Sequence, residues 1–251
     1  MPLRILLPML ATMLVVAAPV AHAAHPLQSE DTGTQGTGNV EIENGIQRAR
    51  SGPTAIFTYQ PQVSLGLATT FDAILQPSFL SIDSSGQAPS HVSGFGDTNA
   101  DFKWRFFGVD PWSLAIRAGL ELPTAQDGLG LPHDEIAEHA RLVATWDATP
   151  TTVHANIGVT HVPPLPGTRA TTVGVSAAVM HALDARLVLT ADAGLAQPID
   201  ASRHGWSGTI LVGAIWTLRP GLDVDVGWQS AFHDVATIHT WLAGLTWRFA
   251  L

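Results

Sequence analysis

Apolar and polar residues alternate with a period of two along most of this sequence, and this pattern constrains the fold more than any other feature. In the segment WSLAIRAGLEL, Trp112, Leu114 and Ile116 fall on one face, and Ser113 and Arg117 fall on the other. A β-strand separates residues in this way, whereas a helix scatters them around its circumference. The chain is therefore predicted to be all-β.

Twelve segments carry the alternation, and many reach about ten residues, the length that a tilted strand needs to cross a bilayer. The predicted strands are 39–48, 54–66, 71–82, 97–107, 112–122, 139–147, 152–161, 171–181, 185–196, 206–218, 222–232 and 239–250. The third is weak, because Gln76 and Pro77 interrupt it. The pattern predicts a transmembrane antiparallel up-and-down β-barrel of about 12 strands.

The connections between the predicted strands alternate in length. Tight turns are expected at 68–70, 108–111, 148–151, 183–184 and 219–221, and mostly longer connections at 83–96, 123–138, 162–170, 197–205 and 233–238. Outer-membrane barrels have short periplasmic turns and longer loops outside. Both ends of the barrel chain are therefore expected on the periplasmic side, as an even number of strands requires.

A secreted β-sandwich with a polar outer face would also alternate, but the placement of aromatic and charged residues favours the barrel. The polar face carries many charges in mid-strand, and the last strand ends on the apolar-face residues Phe249 and Leu251. Tryptophans lie on the apolar face near strand ends, as in the interfacial girdles of membrane barrels: Trp104, Trp112, Trp146, Trp206, Trp216 and Trp228.

The chain divides into three predicted parts. Residues 1–23 are typical of a signal peptide, with one basic residue, an apolar run and the small-x-small cleavage site AHA. An N-terminal transmembrane anchor is the less favoured alternative, since the apolar run is short. Residues 24–38 are polar without a strand pattern, and are expected to be a periplasmic tail or else a lumen plug. Residues 39–251 form the barrel.

Charge and composition exclude several functional classes. Lys and Arg total 12 against 21 Asp and Glu, a net charge of -9, which argues against binding nucleic acid. The absence of cysteine excludes disulfides, iron–sulfur clusters, thiolate zinc sites and cysteine nucleophiles. No cofactor is expected.

Three patches carry a family resemblance. They are the segment 25–39 running into VEIE at 40–43, GFGD at 94–97 followed by FKWRF at 102–106, and LELPT at 120–124, with Ala125 where the family usually has glycine. In these patches the chain resembles the outer-membrane proteins assigned to the MetA pathway of phenol degradation, which are often described as transporters. The resemblance implies an outer-membrane β-barrel and the passage of hydrophobic or aromatic compounds.

The polar face is predicted to line the lumen. Its candidate solute-contacting residues are Asp101, Lys103, Arg105, Arg117, Glu121, Arg141, Asp147, Arg186, Asp192, Asp223, Asp225 and Arg248. A ring of one charge sign selects ions of the other sign, whereas this mixture is more typical of salt bridges across the lumen. A barrel filled by such pairs, with no open pore, is an equal alternative, because 12 strands enclose a modest interior.

Arg105, Arg117 and Glu121 form the most specific candidate cluster. A tight turn joins their two strands, so the three side chains are expected on one wall of the lumen. An arginine cluster can hold an anionic group through paired hydrogen bonds. A structural Arg–Glu ladder is the favoured alternative.

The leading functional hypothesis is a channel or transporter for small, aromatic or hydrophobic compounds. A structural barrel without a pore is the second hypothesis, and an outer-membrane hydrolase at the outer rim is the third. For the hydrolase, His204, His233 and Asp234 are the candidates, but solvated loop histidines are favoured and no catalytic site is predicted. The 133–139 region, HDEIAEH, matches no metal motif, so no metal site is predicted.

The expected partners follow from the barrel prediction. They are outer-membrane lipid, a small-molecule solute, and the barrel-assembly machinery during insertion.

Overall fold

The structure, a computed structural model, describes residues 25–86, 90–129, 135–163, 166–232 and 237–251. The predicted signal peptide lies outside these residues. The described chain forms the strands β1 (Asn39–Ser51), β2 (Thr54–Ala68), β3 (Phe71–Gln76), β4 (Phe79–Ser84), β5 (His91–Phe95), β6 (Thr98–Val109), β7 (Trp112–Leu122), β8 (Ala137–Ala148), β9 (Thr151–His161), β10 (Thr171–Ala182), β11 (Leu187–Ala196), β12 (Ser207–Arg219), β13 (Leu222–Phe232) and β14 (Thr237–Ala250). No helix in this part of the chain is long and apolar enough to span a membrane.

Strand pairing closes the sheet into a barrel. The first strand, β1, pairs with β14 along one edge and with β2 along the other, and both pairings are antiparallel. The ring runs through β1, β2 and β3, then from β6 to β14 and back to β1, which makes twelve strands around the wall. Closure satisfies the backbone groups that an open sheet would leave at its edges. The predicted 12-strand antiparallel barrel is confirmed.

The third predicted strand is divided into β3 and β4. Pro77 and Ser78 separate them, although both pair with β2. Proline has no N–H to donate, so the hydrogen-bond ladder is interrupted there. The predicted loop 83–96 also contains a strand, β5, which pairs with β4. This β4–β5 hairpin extends the wall beyond β3.

The two ends of the barrel differ as the connection lengths predict. We call the end that holds residues 69–70, 110–111, 149–150, 183–186 and 220–221 the short-turn end, and the opposite end the long-loop end. One connection at the long-loop end is nevertheless tight: β1 and β2 are joined by Gly52 and Pro53. Gly52 has a φ of 54°, a left-handed conformation that favours glycine.

The two faces of the wall have opposite chemistry. Large apolar side chains point outward and are exposed, including Trp104 at 49% and Trp241 at 68%. Polar side chains point inward and are buried, including Asp72 at 1% exposed and Asp225 at 5%. This is the reverse of a water-soluble fold and suits a barrel surrounded by lipid.

Candidate functional site: the barrel interior

The polar segment 25–38 lies inside the barrel, and we call it the inner segment. It forms neither helix nor strand, yet Ser29, Glu30 and Thr32 are each at most 5% exposed. A buried chain without secondary structure must find other partners for its backbone groups. Inward-facing side chains of the strands supply many of them.

The inner segment begins against β13 and β11. Nδ1 of His25 lies 2.5 Å from Oδ1 of Asp225 on β13. The backbone N–H groups of Gln28 and Ser29 both donate to Oδ2 of Asp192 on β11, at 2.9 and 2.7 Å. One carboxylate therefore holds two consecutive backbone donors.

The middle of the inner segment binds β9 and β8. The N–H of Glu30 donates to Oδ1 of Asn156 at 2.7 Å, and Nδ2 of Asn156 donates to the carbonyl of Glu30 at 2.9 Å. The N–H of Thr32 donates to Oγ1 of Thr145 at 3.2 Å. Both contacts are formed by buried groups.

The inner segment ends against β3 and β1. The N–H of Gln35 donates to Oδ2 of Asp72 at 3.0 Å, and its Nε2 donates to Glu41 at 2.8 Å. Successive residues of the segment thus contact β13, β11, β9, β8, β3 and β1, which is the order of these strands around the barrel. The inner segment is a hoop that follows the inside of the wall.

A buried ion cluster connects the hoop to β6 and β7. Nζ of Lys103 lies 2.7 Å from Glu30 and 3.1 Å from Asp31, both in the inner segment. Arg117 donates to Glu30 at 2.6 Å and to Asp101 at 2.7 Å. Burial favours the neutral form of Glu30, but Lys103 and Arg117 outweigh it and hold the pKa of that carboxyl well below its usual range. Each buried charge in the cluster has a partner of opposite sign.

A second ion cluster lies across the seam between β1 and β14. The guanidinium of Arg248 donates to Glu41 and to Asp223, at 2.6 Å in each case. These residues lie on three neighbouring strands, β1, β14 and β13. The cluster therefore ties together the first and last strands of the barrel.

Inward-facing glycines make room for the hoop. A Cβ on Gly213 would lie 2.9 Å from Cγ of Pro26, and one on Gly227 would lie 3.0 Å from Cβ of Pro26. A Cβ on Gly66 would overlap the backbone of Gly36. A side chain at these positions would displace the inner segment.

The two halves of the interior differ. Toward the short-turn end, inward apolar side chains are buried: Ala115, Val143, Ala178, Met180, Leu211 and Ile215. Toward the long-loop end lies a cavity of about 730 Å³, whose floor includes His25, Gln28 and Ser29 of the inner segment. The cavity wall reaches Thr172 and Ser207, near strand ends. The hoop therefore separates a polar vestibule from a packed region.

The structure brings most of the predicted lumen residues into the interior. Asp101, Lys103, Arg117, Asp192, Asp223, Asp225 and Arg248 bond interior partners there, and Glu121 and Arg141 line the vestibule. Asp147 is exposed at the short-turn end and accepts a hydrogen bond from Thr152. A role of these residues in solute contact stays a prediction.

Arg105 does not lie directly opposite Arg117. The register between β6 and β7 places Lys103 opposite Arg117 and Arg105 opposite Ala115, next to a β-bulge. Arg117 in turn lies opposite Arg141 of β8. The basic row of this wall is therefore Lys103, Arg117 and Arg141, because hairpin register and not sequence spacing decides which residues face each other.

Arg186 lies in a turn and not in a strand. The backbone N–H groups of Arg186 and Leu187 both donate to Oδ1 of Asp184, which makes a side-chain-stabilised turn. β11 therefore begins at Leu187, two residues later than expected, and the Arg186 residue is exposed at the short-turn end.

The sequence interpretation missed Glu30 and Asp31 as ion partners, and missed the role of the inward glycines. A usable signal was the recurrence of glycine on the polar parity of strands, as at Gly45, Gly213 and Gly227.

Two of the three rim candidates for hydrolysis lie outside the described residues. His204 is exposed in the connection between β11 and β12, and His233 and Asp234 lie outside the described residues, as do His133 and Asp134. His139 faces inward and lies 2.8 Å from Asp101. Within the described ranges no group of three or more His, Cys, Asp or Glu side chains could hold a metal ion.

Comparison with known proteins identifies the fold. No family model and no curated protein matches the sequence. Among solved structures, the COG4313 outer membrane channel from Pseudomonas putida F1 superposes with a TM-score of 0.70 at 13% identity, covering 89% of this chain and 100% of that one. The NanC porin superposes with a TM-score of 0.60 at 8% identity, covering 81% of this chain and 98% of the porin. The CymD monoaromatic hydrocarbon channel superposes with a TM-score of 0.51 at 10% identity, covering 89% of this chain and 94% of the channel. The chain has the fold of outer-membrane β-barrels.

Proposed function

We propose that this protein is an outer-membrane channel for small solutes in which the inner segment forms the constriction. The observation that carries the proposal is the vestibule of about 730 Å³, which ends on a hoop of chain held by side-chain hydrogen bonds. In this proposal the long loops face outward and the short turns face the periplasm.

The vestibule limits the solutes that suit such a channel. The family resemblance implies hydrophobic or aromatic compounds, but among the described residues that line the vestibule there is no Phe, Tyr or Trp. Amide, hydroxyl and charged side chains dominate the inward positions instead. We propose passage of small solutes in general, with selectivity set by hydrogen-bonding groups.

A barrel without a pore is the second candidate. It is favoured by the packing of the short-turn half, where Ala115 and Val143 are fully buried and Leu211 is 2% exposed. A conducting form would need the hoop or these side chains to move.

Single-channel recording in planar bilayers tests both candidates. The natural sequence is compared with the double variant Asn156→Ala/Asp192→Ala, which removes the side chains that hold Gln28, Ser29 and Glu30. We expect small conductance steps from the natural sequence and larger steps from the double variant, because the hoop then loses four hydrogen bonds to the wall.

The control variant is Asn44→Ala. Asn44 bonds Tyr59 at an exposed position and should leave the conductance unchanged. Absence of conductance in both the natural sequence and the double variant would overturn the channel proposal and favour the barrel without a pore.

A further inference from the structure

The vestibule wall formed by β1, β2, β3 and β6 presents side-chain amides. Gln47 of β1, Gln60 and Gln62 of β2, Gln76 of β3 and Asn99 of β6 all line the cavity. An amide carries both donors and acceptors and has no net charge. Gln62 already bonds Arg117 and Ser64, and Asn99 donates to Gln76 at 3.4 Å. The other donors and acceptors of this wall can bond the hydroxyl groups of a bound molecule.

Two buried polar atoms of residues at the vestibule have no hydrogen-bond partner among the described residues. They are Oδ1 of Asn99 on the amide wall and Nε2 of His25 on the floor. The second ring nitrogen of His25, Nδ1, already contacts Asp225. Buried polar atoms without a partner are costly. Both atoms are covered by protein atoms, and a rotation of the Asn99 amide toward the cavity would let Oδ1 accept a hydrogen bond from a hydroxyl group of a bound molecule.

The opposite wall lacks side chains where packing would permit them. Gly158 of β9 and Gly174 of β10 lie opposite each other in register and line the cavity. A Cβ would lie 3.5 Å from its nearest neighbour at Gly158 and 3.6 Å at Gly174, ordinary contact distances. Glycine weakens a strand, and here close packing does not require it. Its effect is to keep the vestibule wide.

The charges at the vestibule disfavour an ionic occupant. Arg117 is already bonded to Glu30 and Asp101, and Arg141 donates to the carbonyl of Gln28 at 3.3 Å. An anion would meet Asp101 and Glu121, and a cation would meet Arg117 and Arg141, because all four line the cavity. Neither sign of charge is therefore favoured in an occupant.

We propose that the vestibule is a binding site for an uncharged, hydroxyl-rich solute of the saccharide class. Its volume of about 730 Å³ lies in the range of about 300–1,000 Å³ that is typical of small-molecule sites. The amide wall, which includes Asn99, bonds the hydroxyl groups, and the glycine wall gives the ring room. This inference names the solute class of the proposed channel and rests on that function for its biological meaning.

Equilibrium binding to the full chain tests the site without depending on conductance. Saturation-transfer NMR is recorded in lauryldimethylamine oxide, a detergent without a sugar headgroup, with maltose, glucuronate and phenol as probes. We expect maltose to bind more tightly than glucuronate or phenol. Asn99→Leu should weaken maltose binding about fivefold, the effect of one lost hydrogen bond, and Gly174→Leu should weaken it further by filling the cavity.

Asn44→Leu is the matched control, because it removes an amide outside the vestibule and should leave maltose binding unchanged. Tighter binding of phenol, no binding of maltose, or equal maltose binding by the natural sequence and Asn99→Leu would overturn the inference. Conductance without maltose binding would refute this site alone. Maltose binding without conductance would refute the channel and retain the site.

Discussion

Asn156 binds the backbone of Glu30 as a neighbouring strand would. Its side chain accepts from the N–H of Glu30 at 2.7 Å and donates to the carbonyl of Glu30 at 2.9 Å. Asn156 is 7% exposed and Glu30 is 5% exposed, so water competes little for either bond. A single inward amide therefore completes the backbone pairing of a segment that has no strand of its own.

Replacing Asn156 with leucine should release this part of the hoop. Asn156→Leu leaves a buried N–H and a buried carbonyl without partners, which costs about 1–3 kcal/mol for each group. We expect faster amide hydrogen exchange at residues 28–32 and a lower free energy of unfolding in urea. Asn44→Leu should change neither the amide exchange of residues 28–32 nor the free energy of unfolding. Unchanged exchange in Asn156→Leu would show that the amide does not hold the segment.

The wall of the barrel could be predicted from sequence because its chemistry repeats locally. A period-two pattern fixes which residues face inward, and Asp101, Asp223 and Asp225 lie inside as the polar parity of their strands predicts. The division at Pro77 also has a local cause, since proline cannot donate to the ladder. The register between strands does not follow from the period-two pattern. The bulge between Arg105 and Phe107 shifts the pairing of β6 and β7, so that Lys103 lies opposite Arg117.

The hoop could not be predicted in the same way, because its partners are distant in sequence. Gln28 bonds Asp192, which is 164 residues away, and Glu30 bonds Asn156, which is 126 residues away. The segment has no periodicity that would reveal these contacts. The sequence signal for the hoop is found instead in the barrel strands. Glycines such as Gly213 have no side chain there and leave space for Pro26.

Alanine should be tolerated at some inward glycines and not at others. A Cβ at Gly213 would lie 2.9 Å from Pro26 and 2.7 Å from the carbonyl of Val226, so Gly213→Ala should cost about 1–3 kcal/mol through overpacking. At Gly174 the nearest atom would lie 3.6 Å away, and Gly174→Ala should be neutral or slightly stabilising. Urea unfolding of both variants measures the difference. Equal stabilities would mean that Pro26 does not pack against Gly213.

The contribution of Glu30 to stability should depend on pH in a defined direction. Burial raises the pKa of this carboxyl, but Lys103 and Arg117 lower it more, so the folded-state pKa lies below the ordinary value of 4.5. The folded state therefore gains stability from the ionised group above the unfolded-state pKa, and loses it as the pH falls toward the folded-state pKa. The destabilisation by Glu30→Gln should be equal at pH 7 and pH 6 and shrink below about pH 4. A destabilisation that grows with acidification would contradict this assignment.

An arginine substitution should lower the free energy of unfolding more on the outward face than in the vestibule. Ala191 is exposed on the outer face in the middle of β11, so Ala191→Arg should cost about 2–4 kcal/mol in a bilayer. Thr172 lines the vestibule, where the guanidinium of Thr172→Arg can stay hydrated. Each variant is folded into lipid vesicles at increasing urea concentrations. The difference in gel mobility between boiled and unboiled samples then gives the folded fraction at each concentration. Equal costs would place the two residues on the same face.

Arg117 should control the charge of the interior, whereas Arg105 should not. Arg117 bonds Glu30 and Asp101, so Arg117→Met leaves two buried carboxylates with fewer partners and should cost about 3–5 kcal/mol. In a channel, these carboxylates should also shift the reversal potential under a salt gradient toward cation preference. Arg105→Met is the matched control, since the described residues offer Arg105 no ion pair, and Arg117→Lys should restore part of the natural reversal potential by keeping the charge. An equal shift in Arg105→Met and Arg117→Met would refute a specific role for the cluster, because the two guanidinium groups differ in their partners and not in their charge.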